Sequence, residues 1–265
     1  MDEATYYRDH WVTIEPERLA VSDQLYDWPE PIVAMVLDRL DPQPGDVVVD
    51  FGCGPGYVTR AIAGRVGDSG HVHGVELNAD FAERARRNAA SDGVDGWTTI
   101  HHVVDDHVPL IDASVDRVLA KNVLEYVPDL AGTLEEAKRV LRPGGTVTAV
   151  DSDRGFLIVE PLTADEVREV FTAAAPAFNE PYVGRKLRGA LIAAGFVEVT
   201  VEVQVLIDDQ GGFRGIVESM LRYARTFDRI TETRAAEVLT RIDEAIADGT
   251  YLAIVPQFVV TAGKP

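Results

Sequence analysis

The run Val47-Val48-Val49-Asp50-Phe51-Gly52-Cys53-Gly54-Pro55-Gly56-Tyr57-Val58-Thr59 decides the fold. Three consecutive valines suit a strand buried on both faces. Glycines at 52, 54 and 56 then turn the chain sharply, and Pro55 and Gly56 open a helix that runs to about Val66. Without Cβ atoms such a turn takes positive φ and lets a ligand lie against the main chain, while the following helix offers unpaired N–H groups. A dinucleotide turn of the form G-x-G-x-x-G needs a third small residue at position 57. This chain has Tyr57 there, which argues against a nicotinamide-dependent oxidoreductase.

Outward from that run, the hydrophobic period alternates between two and 3.6 residues. Strands are expected at Asp46–Phe51, His71–Glu76, Thr98–Val103, Val115–Ala120 and Thr146–Asp151. Helices fall between them: one capped by Asn78 that reaches Asn88, and one capped by Asp129 that stops at Pro143-Gly144-Gly145. Five βα units of this kind make a mostly parallel, doubly wound sheet. Two segments lie outside the repeat. The first, residues 1–40, carries Tyr6, Tyr7, Trp11, Tyr26 and Trp28 and then an amphipathic helix from Pro31 to Leu40. The second follows the fifth strand, with helices near Thr163–Ala174 and Gly184–Ala194, a strand FVEVTVEVQVLI, some forty residues of helical pattern, and a last strand YLAIVPQFVVTA. Pro256 suggests that this last strand is an edge or carries a bulge.

The glycine run is the D-x-G-x-G-x-G signature through which the chain resembles the class I S-adenosylmethionine-dependent methyltransferases. The likeness is to the small-molecule enzymes of the ubiquinone and menaquinone type. It continues in HVHGVELN, VVDDHVPL, SVDRVLAKNVLEYVPD and RVLRPGG, and more weakly in GALIAAGFVEV and QFVVTAGKP. The resemblance implies a Rossmann-like α/β fold with a seven-stranded mostly parallel sheet in the order 3-2-1-4-5-7-6. The chain is expected to divide into an N-terminal helical cover (1–40) and a methyltransferase domain (41–265) that includes a helical insertion (207–249), which its flanking strands do not need and which is therefore expected to act as a substrate lid. The resemblance implies S-adenosylmethionine as cofactor and S-adenosylhomocysteine as product. Gly52, Cys53, Gly54 and Gly56 then cradle the cofactor, and Glu76, with Leu77 beside it, holds the ribose. Glu76 lies 24 residues beyond Gly52, near the ~20 expected of such an acid, and a carboxylate accepts both hydroxyls at once. Asp105 or Asp106 accepts the adenine amino group, with Asp105 preferred as the first acid beyond the strand. Asn122 lies beneath the methionine moiety, and Asp50 meets its ammonium directly or through water. In related enzymes the N-terminal segment folds over the cofactor mouth, which puts Tyr7 or Tyr26 at the methionine end and His10 toward the acceptor. The acceptor pocket is expected to include His10, Trp11, Tyr26, Tyr126, Met220 and Tyr223. A general base is required only for acceptors that lose a proton early, and the candidates are His10, His107, Tyr126 and Asp151.

Composition narrows the rest. The 265 residues hold 25 Lys plus Arg against 44 Asp plus Glu, a net charge of −19, which disfavours nucleic acid and anionic membrane surfaces as partners. Hydrophobic and charged fractions of 46% and 26% belong to a globular chain. The lone Cys53 closes no intramolecular disulfide, and the start MDEATYYRDHW has no signal-peptide pattern, so a cytoplasmic protein is expected. No metal site is expected: His71 and His73 share one strand face, while His101 and His102 point to opposite faces. The expected partner is a small-molecule methyl acceptor, and a homodimer is possible. The rival reading is a cofactor-binding protein of the same fold that is non-catalytic or repurposed for a non-methylating reaction; product analysis separates the two.

Overall fold

Eight strands form one sheet in the computed structural model, which describes residues 2–14 and 30–265. They are β1 (Val47–Phe51), β2 (His71–Glu76), β3 (Thr98–His102), β4 (Val115–Lys121), β5 (Leu141–Ser152), β6 (Ile158–Glu160), β7 (Val197–Asp208) and β8 (Leu252–Gly263). The order is β3-β2-β1-β4-β5-β8-β6, with β7 also on β8. Strands β1 to β5 are parallel, and β8 runs antiparallel to β5, β6 and β7. The expected order 3-2-1-4-5-7-6 therefore holds for the seven long strands, with the last strand inside the penultimate one. The eighth, β6, has three residues and is too short to show a period.

Helices α1 (Tyr6–Val12) and α2 (Glu30–Leu40) precede the sheet, and Tyr26 and Trp28 lie outside the described residues. Helices α3 (Tyr57–Val66) and α4 (Ala79–Ser91) lead into β2 and β3, and α5 (Leu130–Val140) into β5. Beyond β6 come α6 (Ala164–Ala173), α7 (Val183–Ala193), α8 (Arg214–Thr226) and α9 (Glu232–Ala247). Asn78 caps α4 as expected, its side chain accepting the Phe81 N–H at 2.8 Å. Asp129 makes no side-chain cap on α5; its backbone carbonyl instead accepts the Thr133 hydroxyl at 2.9 Å.

Three expectations are corrected. The third crossover, from β3 to β4, carries no helix: Arg139 donates to the carbonyls of Val108 (2.9 Å) and Leu110 (2.8 Å) and so supplies partners to an irregular loop. The helix before Pro143 ends at Val140, because Leu141 already pairs with Val115 and the ladder then bulges through Pro143-Gly144. Pro256 stands in an inner strand. It fits there because β5 stops pairing at Gln257 and β6 begins at Ile254, leaving no ladder partner on that side.

Apolar side chains fill three main cores. One lies between the sheet and α2–α3, around Leu40, Val48, Ile62 and Leu119. A second lies on the other face beneath α5 and α7, around Val118, Leu134, Leu187 and Leu191. The third belongs to α6, α8, α9 and the near ends of β6 and β8, so the helical insertion has a core of its own. His71, His73 and His101 form a row on one face of β2–β3, with His73 Nδ1 at 3.1 Å from His101 Nε2. Burial and its two neighbours push His73 down to about 4, which keeps it neutral at pH 7. Among the described residues no three metal-ligating side chains are arranged to hold an ion, and no helix is long and apolar enough to cross a membrane.

Candidate cofactor and acceptor site

The three glycines after β1 are there for three different reasons, although all have positive φ. A Cβ on Gly52 would fall 2.5 Å from Val123 Cγ2, so this position lets the loop after β4 close against the turn. A Cβ on Gly56 would fall 3.0 Å from Ala85 Cβ, so it sets the approach of α3 to α4. A Cβ on Gly54 would meet nothing within 4 Å. Gly54 thus presents bare backbone to open space above the start of α3, as expected of a surface on which a ligand lies.

Glu76 sits at the end of β2 directly beside this turn. One carboxylate oxygen accepts the Gly54 N–H at 2.7 Å and the other the Asn78 N–H at 2.8 Å. Each oxygen keeps capacity for a further donor. Burial raises the Glu76 pKa, and those two amides work against the rise. Asp50 is buried, accepts the Thr59 hydroxyl at 2.6 Å and braces α3, and burial lifts its carboxyl to about 6. Cys53 packs its sulfur against Gly74, and burial pushes the thiol up, so only its backbone belongs to the turn. Asn122 follows β4 with φ 51°, and its buried Oδ1 has no hydrogen-bond partner among the described residues. The unpaired buried acceptor suits a cofactor with an ammonium group, and the bare Gly54 backbone leaves room for such a ligand to lie against the turn.

After β3, Asp106 turns inward and Asp105 outward, where Asp105 accepts the His107 N–H at 3.0 Å. Burial raises the Asp106 pKa, opposed by Arg8. Helix α1 lies across the same end of the sheet. Asn78 Nδ2 donates to the carbonyls of Trp11 (2.9 Å) and Val12 (3.1 Å), and Arg8 donates to the Val104 carbonyl. His10 and Trp11 meet the Tyr126 ring at centroid distances of 6.0 and 5.0 Å, and Tyr6 meets Tyr223 and Phe227. The Tyr6 carbonyl contacts His10 Nδ1 and can only accept, so Nδ1 carries a proton.

The other candidates separate. His107 is exposed and paired with Glu136 at 2.7 Å, on the Arg139 loop rather than in the aromatic group. Asp151 is fully buried with its oxygens on the Leu124 and Ser152 amides, so it shapes the loop after β4. Met220 packs in the insertion's own core; Tyr223 lies in that core too but also reaches His10, 5.2 Å away.

Two features escaped sequence reading. Lys121 ends β4 largely buried, its pKa brought down to about 8 by burial against the pull of Asp151, Asp50 and Glu125. A lysine closing an apolar strand was the available signal. Glu125 and Arg154 form a buried bidentate pair at 2.7 and 3.1 Å, joining the loops after β4 and β5. Twenty-nine residues separate the two, and no local pattern marks such a pair.

Comparison with known proteins agrees with this geometry. Residues 49–149 match a family model described as a methyltransferase domain. An uncharacterized 37.1 kDa protein in transposon TN4556 of Streptomyces fradiae is 30% identical over 93% of this chain and 71% of its own length. The methyltransferase GfsG of Streptomyces halstedii is 28% identical over 92% of this chain and 83% of its own. A SAM-dependent methyltransferase from Aquifex aeolicus shares the fold, with a TM-score of 0.58 at 16% identity over 96% of this chain and all of the other. With the motif turn, the sheet order and these matches in agreement, the chain belongs to the class I S-adenosylmethionine-dependent methyltransferases.

Proposed function

We propose that the chain transfers a methyl group to an O, N or C atom of a small metabolite that enters beneath α1 and the α8–α9 insertion. The observation that carries this is the bare Gly54 backbone with the Glu76 carboxylate locked 2.7 Å beneath its amide. S-adenosylmethionine supplies an electrophilic methyl group on a leaving thioether that needs no proton. The protein's own part is alignment and exclusion of water. The Gly52–Gly56 turn and Leu77 bind the cofactor along its length, Glu76 holds the ribose, and Asn122 accepts from the ammonium. Tyr7, on α1, closes the methionine end. The rings of His10, Trp11, Tyr126 and Tyr223 wall the acceptor side, and His10 Nε2 takes a proton from acceptors that must lose one. The inward turn of Asp106 favours it over Asp105 for adenine, the reverse of the order expected from sequence.

Two titrations test this reading. Glu76→Ala should weaken S-adenosylhomocysteine binding by about 1.5–3 kcal/mol, the range for hydrogen bonds to a charged group. Calorimetry that finds wild-type affinity removes Glu76 from the site. Asp106→Ala should cost more affinity than Asp105→Ala; equal losses or the opposite order return the role to Asp105. Mass analysis of products from an acceptor panel then separates methyl transfer from a non-methylating use of the same cofactor.

A further inference from the structure

The far end of the sheet is covered on one face only. Val159, Ala253 and Val255 point into the core of the insertion, with Leu206 packed beside them. The opposite face carries Ile158, Val203, Val205 and Ile207, which are 50%, 43%, 53% and 70% exposed. Register makes these one surface: Ile158 and Ile207 both pair with Ile254, Val205 with Pro256 and Val203 with Phe258. Helix α7 protects the sheet only from its start, where Gly184 sits against Phe258, toward Val260 and Ala262. Beyond that start the strands are bare among the described residues. The outer edge of β7 is also unpaired there.

We propose that this face is the contact between two copies of the chain, packed about a twofold axis. The side chains just named, with Val201 and the half-buried Ile254 and Phe258, offer on the order of 500 Å² of apolar surface, in the upper part of the range for a lone monomer and of the size that often serves a function. Doubled across a dyad, that reaches about 1,000 Å², the lower bound of a specific interface. None of these side chains is ionised; an exposed carboxylate, Glu160, stands at the rim of the same face, opposite Leu252. A second copy brings the same largely uncharged surface. The nearest cations at its border, Arg185 and Lys186, are already paired with Asp153 and Glu180. The opposing force is the −19 charge on each copy, which salt screens within about 10 Å at 0.1 M and 3 Å at 1 M. The dimer should therefore tighten with salt.

Sedimentation of the whole chain at 1–100 μM in 0.15 M and 1 M KCl tests this. A dimer is expected whose dissociation constant falls severalfold at the higher salt. Val205→Lys with Ile207→Lys should weaken it at least 100-fold while leaving circular dichroism and S-adenosylhomocysteine affinity unchanged, since both side chains are half exposed and distant from the cofactor turn. The substitution lowers the overall net charge, so a loss of dimer places these positions inside the contact, where the lysines would have to be buried against their copies. A wild-type monomer throughout that range overturns the proposal. So does a dimer that survives the double substitution, or amide exchange that shows β7 equally protected in monomer and dimer.

Discussion

Gly54→Val is expected to abolish S-adenosylhomocysteine binding, by more than 100-fold or about 2.7 kcal/mol, in a protein whose circular dichroism stays native. The branched side chain would stand in the open space over the turn. Its own conformational cost, of the order of 1–2 kcal/mol for a non-glycine residue at φ 54°, is within the stability of a domain this size. The contrast with Gly52→Val sharpens the test. There the new side chain would collide with Val123 and disturb the fold as well as the ligand. If Gly54→Val binds like the wild type, the ligand does not lie on this turn. If it unfolds, the open space above Gly54 is not what the residue serves.

Glu125→Ala should destabilise the fold by about 3–5 kcal/mol in urea or thermal unfolding. The Arg154 side chain is only 10% exposed and Glu125 only 1%, so the guanidinium would be left without its counter-charge in a place water barely reaches. Arg154 also lies over the Phe178 ring at 4.8 Å, and the Glu125 carbonyl accepts the Asn179 and Glu180 amides. The pair therefore ties the loop after β4 to the loop after β5 and to the segment beside Tyr126. Replacing both partners, Glu125→Leu with Arg154→Met, should recover most of the loss, because no buried charge then remains alone. A single substitution costing less than about 1 kcal/mol shows that solvent reaches the pair freely.

What could be read in advance divides along the range of the interaction concerned. The strand Val47–Phe51, the turn after it and the Asn78 cap were legible because each rests on contacts within a few residues: alternate glycines, a side chain reaching three positions on, a change of hydrophobic period. The glycines still looked alike in sequence, and only Val123 and Ala85, far along the chain, give Gly52 and Gly56 tasks different from that of Gly54. The missing crossover helix between β3 and β4 was hidden because Arg139, which satisfies the loop in its place, lies 29 residues beyond Leu110. Pro256 misled for a related reason: a proline forbids a ladder partner, yet an inner strand supplies such a gap where one neighbour ends before the next begins. Asp105 and Asp106 are chemically identical in the sequence, and only the path of the loop distinguishes them.

Asn78 couples three parts of the structure, one of them remote in sequence. It caps α4 with its oxygen, holds α1 with its nitrogen and gives its own N–H to Glu76. The helix α1, the cap of α4 and the Glu76 carboxylate thus share one residue. Helix α1 is fastened at that same point and again where Arg8 donates to the Val104 carbonyl. Because one side-chain amide serves both helices, loosening α1 and unfastening the α4 cap are expected to be linked events, so amide exchange at Phe81 should quicken when α1 is displaced.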